Sequence, residues 1–248
     1  MKKIISMVCT ALMALSLFGA TAAHADTSNA KVENSVKILG EYNGKQVVSV
    51  KKITNGNWVD VSFEEFLKDM NTKQQATVHQ NPTKMKLQSP TSIMKPADAV
   101  YTWYDYWESS GYYYNASPRK TSPDYGCPSS APAPCTLSLQ YSLTQSKSAN
   151  VSLSLPEWNA IKATLGYTYQ DQASVAATYA LPVPPGKYGH MEFAPKYYHS
   201  EGTMEAWMSS ISGVQLVGTQ YVGCETPQKL QTGFLDGYAI GVITNSPT

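Results

Sequence analysis

Two carboxylates stand inside the most aromatic stretch of the sequence, a combination that glycoside hydrolases use. Asp105 and Glu108 lie in "YTWYDYWESSGYYYN", residues 101–115, which contains six tyrosines and two tryptophans. Glycoside hydrolysis needs two carboxyl groups that flank the scissile bond. On a β-strand, residues three positions apart point to opposite faces, so these two side chains do not converge easily on one bond. Extracellular glycan hydrolysis is therefore an alternative function and not the leading one.

Other residues that could do chemistry stand in less informative patterns. His190, Glu192 and His199 are possible metal ligands, but two histidines nine positions apart around Pro195 match no common metal-site spacing. Cys224, in "YVGCETP", has no motif around it that marks a nucleophile. The sequence contains no G-x-S-x-G, H-E-x-x-H or phosphate-loop pattern. We therefore predict a non-catalytic protein that uses neither a metal nor a cofactor.

The aromatic stretch itself alternates as a β-strand does. In "YTWYDYW" the first, third, fifth and seventh residues would share one face, and the others the opposite face. Ser109-Ser110-Gly111 fits a three-residue hairpin loop with glycine in the left-handed position. The sequence therefore predicts a hairpin, with "YYYN" beginning the return strand.

Aromatic residues on both faces of one strand leave two interpretations open. The cluster is mostly internal packing, since cross-strand aromatic pairs stabilise a sheet, or one row of rings is a binding face. Tyrosine and tryptophan combine a flat apolar ring with a polar tip, which suits contact with sugars, membrane–water boundaries and protein partners. The predicted binding residues are Tyr101, Trp103, Tyr104, Tyr106, Trp107, Tyr112, Tyr113 and Tyr114.

Three cysteines remain once the N-terminal segment is set aside. Cys127 and Cys135 bracket "PSSAPAP", a short proline-rich loop that an oxidising compartment would close as a disulfide. Cys224 is then either a buried free thiol or available for pairing with another molecule. Cys9 is expected to leave with the N-terminal segment.

The first 25 residues are typical of a secretory signal peptide. Lys2 and Lys3 precede an apolar run, and Ala23-His24-Ala25 forms an A-x-A cleavage site. We therefore expect a secreted, extracellular protein. Loss of two lysines lowers the formal net charge from +1 to −1. A near-neutral chain argues against nucleic acid as a partner and against electrostatic docking on anionic lipid.

Elements that position these residues fall into two regions. In 26–70, two strand-like segments flank Asn43-Gly44, a dipeptide suited to a tight hairpin turn, and Ser62 with Glu65 forms a capping box that opens a short helix. This predicts a small ββα unit, which is either an accessory domain or a pro-segment. Residues 71–99 are polar and lack periodicity, which is typical of a linker.

Residues 100–248 are predicted to form a β-rich domain. "TLSLQYSLT", "VSLSL" and "ASVAATYAL" alternate apolar and polar residues, and "GHMEFAPKYY" and "TMEAWM" are further strand candidates. "PEWNAIKATLGY" fits either a short helix or an irregular strand. The fold class is therefore mainly β, an antiparallel sandwich or an elongated twisted sheet, preceded by the ββα unit.

The segment from Thr136 to Trp207 resembles a group of small secreted Gram-positive β-proteins of unknown function. The resemblance is carried by the turn Val183-Pro184-Pro185-Gly186-Lys187-Tyr188-Gly189 and the aromatic strand after it. More loosely, the Ser/Thr-rich strands are similar to the central region of aerolysin and epsilon-toxin-type β-pore-forming proteins. That resemblance implies that residues near 150–181 include a segment that rearranges into a barrel. Pro156 interrupts the alternation that such a segment needs.

We therefore expect a secreted, non-catalytic β-protein that acts by surface contact, through an aromatic, Ser/Thr-rich face. Its expected partners are cell-wall glycan or a membrane surface, oligomers are compatible with the sequence, and nucleic acid is not expected. A β-pore-forming function and a glycan hydrolase are the two alternatives.

Overall fold

The computed structural model describes residues 36–54, 57–79 and 100–248. The predicted signal peptide and most of the predicted linker lie outside the described residues. The helices are α1 (Phe63–Asn71) and α2 (Leu155–Leu165). The strands are β1 (Gly40–Tyr42), β2 (Lys45–Thr54), β3 (Asn57–Asp60), β4 (Gln74–Gln75), β5 (Tyr101–Asn115), β6 (Arg119–Lys120), β7 (Tyr125–Gly126), β8 (Cys135–Ser146), β9 (Ser148–Ala149), β10 (Gln172–Val183), β11 (Tyr188–Ser210), β12 (Gly213–Pro227) and β13 (Gly237–Thr244).

The long strand β11 organises an 11-stranded antiparallel sheet. Along one edge of β11 run β5, β6 and β7 in succession, from Tyr101 opposite Ser209 to Gly126 opposite Tyr188. Along its other edge run β12 and then β13. The predicted mainly β, antiparallel fold is confirmed.

Alternation along β11 assigns its two faces to different neighbours. In the first half of the strand, the odd-numbered Met191 and Phe193 pack against the two-stranded sheet of β8 and β10. Leu139 and Leu181 are among the apolar side chains that this second sheet contributes. These residues form one apolar core, which makes the first half of the molecule a two-layer sandwich.

The helices cover the even-numbered face of the same sheet. Phe66 of α1 packs with Ala194 and Tyr238 in one core cluster. Ile161 and Leu165 of α2 belong to another, whose sheet residues are Tyr106, Tyr198, Met204, Val222 and Cys224. Each helix therefore closes one half of the even-numbered face.

The predicted N-terminal ββα unit is present. Asn43 and Gly44 have φ values of 51° and 74°, as the tight turn between β1 and β2 requires. The Ser62 side chain accepts a hydrogen bond from the backbone N–H of Glu65 and caps α1. The unit joins the large sheet, because β2 pairs with β13.

Two local expectations are resolved by the structure. The predicted hairpin at Ser109–Gly111 is wrong, because β5 is one continuous strand with a bulge at Ser109. Gly202 faces the bulge, where a Cβ would lie 2.1 Å from the carbonyl oxygen of Trp107. "PEWNAIKATLG", which fitted a helix or a strand, contains α2. Within the part of the chain that the structure describes, neither helix has the length and apolar character needed to cross a membrane.

Candidate functional site

One face of the large sheet is left open in its second half. The sheet of β8 and β10 covers the odd-numbered face of β11 from Gly189, which lies against Leu181 and Val183, to Tyr197, whose hydroxyl donates to Gln145. Further along, the side chains of β5, β11 and β12 on that face are half-buried or exposed, and we call this the outer face. Its side chains are Trp103, Asp105, Trp107, Tyr112 and Tyr114 from β5, His199, Glu201, Glu205 and Trp207 from β11, and Tyr221 and Glu225 from β12.

A groove of about 380 Å³ lies on the outer face beside β9. At its centre His199 Nε2 is 3.0 Å from Glu201 Oε1, and His199 Nδ1 is 3.6 Å from Glu225 Oε1. The Tyr221 hydroxyl donates to Glu201 Oε2 at 2.8 Å. The Tyr114 hydroxyl donates to Glu225 Oε1 at 2.6 Å. Two carboxylates therefore hold a histidine and two tyrosines in fixed positions.

Electrostatic attraction between His199 and the two glutamates favours the charged form of all three side chains in this groove. The carboxylates of Glu225 and Glu201 raise the pKa of His199 above its usual 6.5. Conversely, His199 lowers the pKa of Glu225 and of Glu201 below 4.5. Both carboxyl groups are therefore ionised at neutral pH and act as hydrogen-bond acceptors, not as proton donors.

A second cluster of rings lies toward the β11–β12 turn. The indole N–H groups of Trp107 and Trp207 both donate to Glu205 Oε2, at 2.9 and 3.2 Å. Trp103 stacks on Trp207 with ring centroids 6.4 Å apart and planes 12° apart. Trp107 is 40% exposed, so part of its apolar ring faces solvent. The hydrogen bond to Glu205 holds that ring in position. Burial raises the pKa of Asp105, and Glu205 adds to that rise.

Tyr112 connects the groove to the sheet edge. Its ring stacks on His199 with centroids 4.8 Å apart. Lys73 Nζ lies 4.5 Å from the centroid of the Tyr112 ring and donates to its hydroxyl at 3.2 Å. The stack and the cation restrain Tyr112 from both sides.

The eight predicted binding residues divide between the two faces. The bulge at Ser109 changes the phase of β5, so the outer row passes from odd to even positions along the strand. Tyr104 and Tyr113 are half-buried in the α2 core, and Tyr106 is completely buried there. Tyr106 is therefore corrected from a binding residue to a core residue. Those on the outer face are Tyr101, Trp103, Trp107, Tyr112 and Tyr114.

The carboxylate pair considered for hydrolysis is separated by the sheet. Asp105 lies on the outer face, whereas the Glu108 side chain is fully buried on the inner face. Glu108 accepts hydrogen bonds from the Tyr198 hydroxyl at 2.7 Å and from His79, whose Nδ1 lies 2.9 Å from Oε2. His79 Nε2 is also 2.9 Å from Thr168 Oγ1. Glu108 is therefore a structural anchor for the segment before residue 80.

Residues considered as metal ligands are also separated. His190 is fully buried, with Nδ1 2.8 Å from Asp124 Oδ1 and Nε2 3.1 Å from Glu192 Oε1. His199 lies on the outer face, in the other half of the sheet. Among the described residues, no group of three or more His, Cys, Asp or Glu side chains is arranged to hold a metal ion.

The three cysteines beyond the N-terminal segment divide into one disulfide pair and one free thiol. Cys127 and Cys135 form the predicted disulfide. Cys224 is buried with a free thiol, and burial raises its pKa to about 12. Cys224 packs in the α2 core. A thiol that stays protonated is a poor nucleophile, so we do not include Cys224 in the site.

Sequence reasoning missed half of the outer face. His199, Glu201 and Glu205 alternate along β11, and Trp207 continues the row. Polar or aromatic residues at every second position of this strand are the sequence pattern that indicates a shared outward face. Tyr221 and Glu225 join them only through the pairing of β12 with β11, which nothing local in the sequence specifies.

Comparisons with known proteins give a family but no function. The profile of a family of unknown function (DUF6060) matches residues 99–228, just over half of the chain, so the chain belongs to that family. The matched range includes every strand that contributes to the outer face. No curated protein matches the chain, and no solved structure does.

Proposed function

We propose that this member of the DUF6060 family is an exported protein that binds glycans, without catalysis, on its outer face. The observation that carries the proposal is the joint presence of exposed rings and ionised carboxylates on an uncovered sheet surface. Flat rings such as Trp107 stack on the apolar faces of sugars. Carboxylates such as Glu201 and Glu225 accept hydrogen bonds from sugar hydroxyls.

Electrostatics of the groove support binding over hydrolysis. A glycosidase needs one carboxyl group that stays protonated near neutral pH. In the groove, both Glu201 and Glu225 have lowered pKa values. His199 has the raised pKa, and its two ring nitrogens are directed at those carboxylates. The groove therefore holds acceptors without a carboxylic acid that could protonate a leaving group.

The test is retention on insoluble polysaccharides, for example peptidoglycan, chitin, cellulose and yeast β-glucan. Replacing Trp107 or Tyr221 by alanine is expected to weaken retention on the polysaccharide that the wild type binds by about tenfold each, as loss of an aromatic contact residue does. Tyr167→Ala is the matched control, because Tyr167 is 88% exposed but lies beside α2. Equal retention of all three variants, or failure of the wild type to bind any polysaccharide, would contradict the proposal.

Pore formation, which the looser resemblance implies, is the rival proposal. Residues 150–181 contain α2, whose Ile161 and Leu165 are fully buried against the sheet. A barrel built from this segment requires α2 to leave that core. Dye release from vesicles, together with SDS-resistant oligomers, would favour the rival, and a monomer that never releases dye would exclude it.

A further inference from the structure

The turn that joins β11 to β12 forms an exposed surface that has no role in the proposed glycan binding. We call residues 208–217 the hairpin tip. From Ile211 to Tyr221 every residue is exposed, without the alternation that a strand with one covered face has. Exposed apolar side chains at the tip are Ile211, Val214, Leu216 and Val217, and Ile211 is 89% exposed. A group of apolar side chains exposed in this way marks a contact surface.

Charge is absent from the tip and from the strand residues paired with it. Between Glu205 and Glu225 the sequence has no Asp, Glu, Lys or Arg. The adjacent start of β5, from Val100 to Tyr104, has none either. The nearest charges along both strands, Asp105 and Glu205, are acidic.

Aromatic rings lie between the apolar tip and these acidic residues. Trp103 and Trp207 form the stacked pair, three to four residues from the turn. At about 3.3 Å per residue, Trp207 lies about 13 Å and Glu205 about 20 Å along the strand from Ile211. Proteins that lie at a membrane surface bury an apolar part about 5–10 Å deep and place Trp and Tyr at the water boundary. Ile211 and Val214 lie nearest the turn, Trp103, Trp207 and Leu216 share the next level, and Asp105 and Glu205 follow, which matches that layering.

The turn also satisfies part of its own hydrogen bonding. The backbone N–H of Ser212 donates to Ser210 Oγ at 3.3 Å, and the two serine hydroxyls are 2.7 Å apart. Polar groups that find partners within the protein cost less to remove from water. The tip can therefore enter a lipid headgroup layer without leaving these groups unpaired.

We propose that the hairpin tip docks the protein on the surface of a membrane of neutral lipid, with Ile211 and Val214 below the headgroups and Leu216 level with Trp207 at the boundary. Neutral lipid is the partner that the charges favour, since the uncharged tip gains nothing from an anionic surface and Asp105 and Glu205 are repelled by it at low ionic strength. The tip is exposed on more than one side, and a lipid layer, unlike a flat protein surface, surrounds an inserted wedge.

The experiment measures binding of the chain from residue 26 onward, which retains every described element. Phosphatidylcholine vesicles are the probe, and tryptophan emission and quenching by brominated lipids are the signals. The wild type is expected to bind, with a shift to shorter wavelength and quenching at shallow positions. At low salt, vesicles in which about a third of the lipid is phosphatidylserine are expected to bind more weakly.

The decisive variant is the double substitution Ile211→Asp with Val214→Asp, the two exposed apolar residues nearest the turn. It is expected to lower vesicle binding about 100-fold, about tenfold for each apolar side chain withdrawn from lipid. Leu155→Asp is the matched control, because Leu155 is 71% exposed on α2, away from the tip. Polysaccharide retention of all variants distinguishes this proposal from the glycan proposal, since it is expected to stay unchanged.

Several outcomes would overturn the proposal. They are no binding of the wild type to phosphatidylcholine, full binding of the double variant, an equal loss in the Leu155 control, or preference for the anionic vesicles. A wild-type dimer in analytical ultracentrifugation that the tip substitutions dissociate would assign the tip to a second copy of the chain instead.

Discussion

Replacing Glu108 by alanine is expected to lower the free energy of unfolding by about 3–4 kcal/mol at pH 7. The Glu108 side chain is fully buried and accepts hydrogen bonds from the Tyr198 hydroxyl, from His79 Nδ1 and from the backbone N–H of His79. Alanine removes these three bonds and leaves the backbone N–H of His79 unpaired, while the Tyr198 hydroxyl and His79 Nδ1 keep only their weaker mutual contact at 3.2 Å. Each loss costs about 1–1.5 kcal/mol, and the sum gives the expected magnitude.

Asp105 supplies a matched comparison on the other face of the same strand. Its pKa is raised by burial and by Glu205, so the folded protein binds the proton more tightly than the unfolded chain. The ionised carboxylate is therefore slightly unfavourable to folding above that pKa. Asp105→Asn is expected to change the free energy of unfolding by less than about 0.5 kcal/mol, or to raise it slightly.

Urea denaturation followed by tryptophan fluorescence and far-UV circular dichroism measures both variants. Glu108→Gln is the third member of the series and is expected to fall between them, because its amide keeps one acceptor oxygen. The reasoning is refuted if Glu108→Ala and Asp105→Asn cost the same. That result would mean that the two carboxylates do not occupy different environments.

Three further outcomes are expected. His199→Gln should lower the free energy of unfolding by about 1 kcal/mol near pH 6 and by less at pH 9, in urea titrations across pH. Because the pKa of His199 is raised in the folded protein, its ion pairs contribute their full stabilisation below pH 6.5, and that contribution is lost as the pH rises through the pKa of His199 in the folded state. Equal losses of unfolding free energy at pH 6 and pH 9 would refute this. Replacing Cys127 and Cys135 by serine should cost about 2–3 kcal/mol, the entropy of an open loop with a separation of 8 residues, and an unchanged thermal midpoint would contradict it. Cys224 should resist a thiol reagent at pH 8 until the protein is denatured, because burial raises its pKa to about 12; rapid native labelling would disprove its burial.

Structural features that depend only on residues close together in the sequence could be predicted. Asn43-Gly44 supplies the positive φ values of a tight turn, and Ser62 caps the backbone N–H three residues later. Cys127 and Cys135 are close enough along the chain for a short loop to bring them together. In each case the deciding interaction joins residues that are at most eight positions apart, so the sequence around it contains the cause.

The bulge in β5 could not be predicted, because its cause lies far along the chain. Ser109-Ser110-Gly111 satisfies the local rule for a hairpin loop. The structure instead pairs β5 continuously with β11, where Gly202 allows Trp107 to approach. That pairing changes which rings of β5 face outward, and Tyr112 reaches His199 as a result. Tertiary pairing overrode the local preference, and the candidate site depended on it.

The proposed glycan contact and the proposed membrane contact are joined by β11, so their separation can be tested in one experiment. Glu201 in the groove and Ile211, which directly follows β11, are ten residues apart, about 33 Å along the strand direction. A strand paired on both edges holds that separation nearly constant. A glycan displayed on a neutral vesicle could therefore engage both places at once, which makes the second contact intramolecular and raises the effective concentration.

Vesicles of phosphatidylcholine that display the polysaccharide retained by the wild type are expected to bind at least about 100-fold more tightly than either partner alone. The Tyr221→Ala and Ile211→Asp substitutions should each reduce this gain about tenfold, because each weakens one of the two contacts. If the displayed glycan adds nothing beyond the tighter single contact, the groove and the tip do not face the same surface. The rigid spacing along β11 would then separate two independent functions instead of joining them.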